Sequence, residues 1–159
     1  MTEALTTLTR LSIVREIRED GSGATLRFQQ GGQGRLVRDD PNYASHLRLA
    51  QRSQERQHPI GVRFGEGQTI AELIRADNDV PTELCANDAD GVRVLFQGHD
   101  GFFRLKADHP EAVHLRALLD EAIRRKALIW FLAQKPDLAL LDVLLERIRV
   151  TQMSNSDNL

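Results

Sequence analysis

Two stretches of the chain carry the same punctuation, and that recurrence limits the folds open to it more than any other feature. Arg104 to Phe131 reads RLKADHPEAVHLRALLDEAIRRKALIWF, and upstream lies RLVRDDPNYASHLRLAQRSQERQHPIGV. At a shift of 69 positions, Arg35, Leu36, Asp39, Pro41, Leu49, Arg56 and Ile60 meet Arg104, Leu105, Asp108, Pro110, Leu118, Arg125 and Ile129. At a shift of 68, His46-Leu47-Arg48 meets His114-Leu115-Arg116, and Phe28-Gln29 meets Phe96-Gln97. Both registers stay open, and within a strand one residue exchanges the buried and exposed faces.

Either register preserves one order of elements: hairpin, helix, hairpin, twice. The expectation is an α+β fold of two internally duplicated units, about 8–76 and 80–148, packed about a pseudo-twofold axis. The units would form a mainly antiparallel sheet or partly open barrel carrying two helices, a single domain over 1–150 followed by a disordered tail over 151–159. A chain of 159 residues with 41% apolar content has enough material for such a core.

The helices are marked by their ends. Asp39-Asp40-Pro41 opens one that runs to about Gln57, where His58-Pro59 closes it. Asp108-His109-Pro110-Glu111 has capping-box spacing and opens a second from Pro110 to Lys126, with Ala112, Leu115, Leu118, Leu119, Ala122 and Ile123 along one side. Strands are expected at 8–18, 24–29, 35–38, 60–64, 69–76, 92–97, 102–106, 128–132 and 138–145 from alternation and β-branched content. The run 128–132 is apolar on both faces and reads as a covered strand. Asp77 to Gly91 has no pattern and reads as a connecting loop with a short extended piece near Leu84 to Ala86.

Few chemical motifs accompany this plan. Gly31-Gly32-Gln33-Gly34 matches neither the dinucleotide fingerprint nor a phosphate loop and reads as a hairpin turn. The single cysteine, Cys85, excludes an intrachain disulfide and a multi-cysteine zinc site, and its acidic neighbours Glu83 and Asp88 disfavour a nucleophilic thiolate. No histidine pair has HxH or HExxH spacing, so neither a metal nor a cofactor is expected. The start MTEALTTLTRLS lacks a leader pattern, and no apolar run approaches the roughly 18–20 residues of a membrane span, which points to the cytoplasm.

Three surfaces remain as candidates. Arg48, Arg52 and Arg56 recur every four residues on the first helix, with Arg63 nearby; a charge row of this kind is ordinarily a solvated face, but it also fits an acidic protein surface or phosphates. A net charge of -2 and the absence of interleaved aromatics favour the protein partner over nucleic acid. His99-Asp100 could form a general base with an orienting carboxylate, joined across the fold by His58, His109 or His114, although a turn already explains both residues. Trp130 and Phe131, with Phe102 and Phe103, read as core before they read as a ligand cleft. The resulting expectation is a non-catalytic protein-binding or scaffold module acting through Arg48, Arg52, Arg56 and Arg63. Nucleic-acid binding by the same arginines and a small hydrolase-like site at His99 and Asp100 are the alternatives.

Overall fold

The structure is a computed structural model describing residues 9–135 and 137–145. The expected frayed start, the strand start at Leu8 and the polar tail over 151–159 lie outside those residues. The fold is α+β, with two helices and mostly antiparallel strands that do not close into a barrel. The chain divides into two compact units after Ala76.

In the first unit, β1 (Arg10–Ser12), β2 (Val14–Asp20), β3 (Gly23–Phe28) and β4 (Gln33–Val37) precede helix α1 (Tyr43–Arg56), and β5 (Ile60–Phe64) and β6 (Ile70–Arg75) follow it. The sheets run β2-β3-β4 and β1-β5-β6, antiparallel within each. A parallel bridge from Arg35 to Thr69 joins β4 to the start of β6. The expected single strand over 8–18 is therefore two strands. The chain breaks at Ile13 because β1 pairs with β5 and β2 with β3.

The second unit has β7 (Asp77–Asp79), β8 (Pro81–Asp88), β9 (Gly91–Phe96), β10 (Phe103–Lys106), helix α2 (Ala112–Arg125), β11 (Ile129–Gln134) and β12 (Ala139–Leu145). Its strands form one sheet in the order β7-β11-β12-β10-β9-β8. The one parallel neighbour pair is β10 with β12, meeting at Arg104 and Ala139. The stretch expected to be a loop over 77–91 is thus two edge strands, and the short extended piece expected near 84–86 falls within β8. Edge strands keep polar outer residues and tolerate a proline at their first position, so they lack the apolar alternation that marks a half-buried strand.

The two units share some backbone features. Gly23 and Gly91 both take positive φ, and a Cβ on either would lie 2.0 Å from the carbonyl oxygen of Leu36 or Leu105 respectively. Those glycines are 68 residues apart, whereas Leu36 and Leu105 are 69 apart; the change falls in the β3–β4 and β9–β10 turns, where the second unit has one more residue. Both helices end on a left-handed residue, Gln57 with φ 56° and Lys126 with φ 54°.

The helix starts differ from expectation. Both helices begin two residues after the proline, and neither N-cap side chain, of Asn42 or Glu111, makes a capping bond. Asp108 does not cap α2. The amide of Glu111 donates instead to His109 Nδ1 at 2.9 Å, while Nε2 donates to the carbonyl of Leu141 at 2.8 Å. Asp40 does the same for α1, its Oδ1 accepting from the amide of Asn42 at 2.8 Å. A side chain two residues ahead of the helix is geometrically suited to such a turn.

Each unit has its own apolar core between helix and sheet. In the first, Val14, Leu26, Leu36, Ala50, Val62 and Leu73 meet. In the second, Val94, Leu105, Leu115, Leu119, Phe131 and Val143 meet, with Phe96 stacked on Phe131 at 4.4 Å. Ile129 to Leu132 are all buried, as a strand apolar on both faces should be, whereas Leu128, expected within that strand, precedes β11 and is exposed.

Candidate functional site

Arg48, Arg52 and Arg56 lie along the solvent side of α1, because the helix turns His46, Ala50 and Ser53 toward the sheet. Four residues of helix rise about 6 Å, so the guanidinium groups leave the backbone at regular intervals along one flank. All three are exposed. Arg48 and Arg52 make no ion pair among the described residues, whereas Arg27 meets Glu16, Arg35 meets Asp20 and Arg125 meets Glu121.

Arg63 is not brought to this row. Val62 and Leu73 are directly paired and buried in the core beneath α1, so the next pair, Arg63 and Glu72, projects from the opposite face of the sheet. There the guanidinium reaches Glu72 Oε1 at 3.1 Å.

His99 has a carboxylate, but from another element than expected. Asp79, at the end of β7, places Oδ2 2.5 Å from His99 Nδ1, in place of the neighbouring Asp100. The same Oδ2 accepts from the amide of Gly98 at 2.8 Å, and Oδ1 accepts from the amide of Val80 at 2.7 Å. Burial alone would raise the Asp79 carboxyl, but the His99 bond and the two amides outweigh it and hold it below the ordinary range. The ring packs edge-on to Phe96, Phe103 and Phe131, with centroids 6.0, 5.4 and 5.7 Å away. This arrangement fastens the short edge strand β7 to the β9–β10 turn. Residue patterning could not have found Asp79, since its only local signal is a polar run before Val80-Pro81.

His109 is occupied at the start of α2, His114 is exposed on that helix, and His58 closes α1 through its amide bond to Ser53 O. No group of three His, Cys, Asp or Glu among the described residues is arranged to hold a metal ion. Cys85 is in β8 and half-buried, directly across from Arg93, so its setting is basic on that side instead of the acidic loop expected. Phe103 and Phe131 are core residues, Trp130 is buried, and Phe102 is the exposed member of that aromatic group, with the Arg93 guanidinium 4.6 Å from its ring centroid. Among the described residues no helix is long and apolar enough to cross a membrane. No protein-family model, curated protein or solved structure matches the chain.

Proposed function

We propose that the protein is a non-catalytic binding or scaffold module of the cytoplasm that docks an acidic protein surface on the Arg48, Arg52 and Arg56 face of α1. The observation that carries this reading is the pair of exposed guanidinium groups, Arg48 and Arg52, with no carboxylate partner among the described residues. Such groups steer an oppositely charged partner and set the register of docking more than they add raw affinity. Arg63, engaged by Glu72, is less available for this role.

The reading includes an origin by internal duplication. The matching strand order, the equivalent glycines at 23 and 91 and the left-handed helix ends at 57 and 126 support it. In that account α2 keeps an apolar inner face, with Leu115, Leu119 and Ala122 buried, while α1 buries His46, Ala50 and Ser53 and is freer to diverge on its outer face.

The test is a comparison of the wild-type chain with an Arg48→Glu, Arg52→Glu, Arg56→Glu variant in affinity capture from native lysate and in binding to polyglutamate and to arbitrary RNA. Retention of an acidic protein by wild type only, with RNA unbound at low salt, is the expected result. RNA binding that falls steeply with salt and disappears in the variant would replace the protein partner with nucleic acid. Identical capture by both chains would remove the arginine face from the function.

A further inference from the structure

Strand register sets two like charges against each other in the second unit. Arg93 of β9 is directly paired with Arg104 of β10, an arrangement that is destabilising when nothing answers it. In the first unit the corresponding positions hold Thr25 and Arg35, also directly paired, and there the arginine is closed off. Its guanidinium reaches Thr25 Oγ1 at 3.0 Å, Asp20 Oδ1 at 2.7 Å and Ser22 Oγ at 2.5 Å.

Among the described residues Arg104 is held more loosely. Its ion pair is with Asp90 at 3.8 Å, and the Asp90 side chain is 78% exposed, so water screens the contact. Lys106 follows two residues on, on the same face of β10, and meets Asp137 at 3.3 Å. Together with Asp90 and Asp108, Arg104 and Lys106 line a cavity of about 510 Å3, within the range of small-molecule sites.

We propose that this cavity binds the phosphate of a small phosphomonoester that also carries hydroxyl groups. Arg104 supplies a forked pair of donors, and Lys106 a compact charge that must exchange Asp137 for the phosphate. Asp90 and Asp108, which line the same cavity, select against a second phosphate by repulsion and accept hydrogen bonds from hydroxyl groups. That pattern favours a monoester over a polyphosphate or a nucleic-acid backbone. The site belongs to the second unit and the α1 face to the first, and the assignment stands whether or not that face binds a protein.

The test is an amide NMR titration of the full chain with inorganic phosphate and with glycerol 3-phosphate at constant ionic strength. Saturable shifts at Gly91 and over 104–108 are expected, tighter for glycerol 3-phosphate. Arg104→Gln with Lys106→Gln should weaken binding about tenfold, roughly the loss of one charged hydrogen bond, while Arg35→Gln should leave it unchanged. Should the double variant lose its dispersed spectrum, Lys106→Gln alone carries the same comparison, because that side chain is 47% exposed. Absent saturation, equal affinity for the two ligands, equal shifts along the α1 arginines, or a folded variant that binds like wild type would each overturn the assignment.

Discussion

His46 holds the place in α1 where the first intrahelical bond forms, its amide donating to Asn42 O at 2.9 Å; in α2 that place belongs to Leu115, whose amide donates to Glu111 O at 2.9 Å. Leu115 is fully buried. His46 is 7% exposed, and its Nδ1 is buried with no hydrogen-bond partner among the described residues. A buried polar atom in that state costs about 1–3 kcal/mol, so His46→Leu should stabilise the protein by an amount of that order. A urea titration checks it: the midpoint should rise while the slope stays constant. A second polar demand in the first unit has no counterpart in the second. The amide of Val14 donates to Ser53 Oγ at 3.0 Å, and that hydroxyl donates to His58 O at 2.7 Å. At the corresponding places stand Pro81, which has no amide hydrogen, and Ala122, which has no hydroxyl. The Asp79 carboxyl titrates below its ordinary value, so it binds fewer protons folded than unfolded at mildly acid pH. Its contribution is complete above the unfolded value, roughly pH 4, and is lost as pH falls through the lower folded value. The stability difference between wild type and Asp79→Asn should therefore be largest above about pH 5 and shrink steadily toward pH 2. Chemical denaturation at a series of pH values measures it, and a difference that grew on acidification would contradict the His99 clamp.

At the scale of elements, the glycine that opens β9 is as consequential as any core side chain. Gly91 takes φ 124°, and a Cβ there would lie 2.0 Å from Leu105 O and 2.9 Å from the amide nitrogen of Ala107. Both obstacles are backbone, so neither can swing aside. Gly91→Ala should destabilise the β9–β10 hairpin by more than the ~1 kcal/mol of an ordinary glycine-to-alanine change. Thermal unfolding would show it, with Gly67→Ala as a control because that position has positive φ but open space around its Cβ. Apolar periodicity made α2 and the buried strands β9, β11 and β12 legible in the sequence, since their inner faces repeat at helical or strand spacing, while α1 was legible from the punctuation at its ends. It missed β7 and caught only the 84–86 piece of β8, because the place of these strands in the sheet is set by main-chain pairing with β11 and β9. It also misassigned Asp108 as a cap: proline spacing marks a helix start, but whether an aspartate or His109 satisfies the first amides depends on the reach of Leu141 O from β12. The arginine row was legible because helical spacing alone places Arg48, Arg52 and Arg56 on one flank. The pairing of Arg63 with Glu72, and of His99 with Asp79, depends on strand neighbours that no local pattern announces.

At the scale of the whole molecule, the described strand pairs and both apolar clusters stay within one unit or the other. Leu26 is fully buried in the first cluster and Leu119 in the second. Truncating a buried leucine to alanine typically costs about 2–5 kcal/mol, a sum of lost transfer energy and the cavity left behind. When cooperative units share few contacts, such a loss lowers the opening free energy of the unit that contains it and leaves the other near its original protection. Leu119→Ala should therefore speed amide exchange in β8 to β12 and α2 while β2 to β6 and α1 keep their wild-type rates, and Leu26→Ala should do the reverse. Native-state hydrogen exchange read by mass spectrometry resolves the two sets of peptides. Equal acceleration in both units by either substitution would mean that the chain unfolds as one cooperative block. The consequence reaches function: if the units open separately, the α1 face can change its packing to suit a partner without loosening the cavity beside Arg104. A charge-reversed α1 variant should then keep wild-type exchange in the second unit.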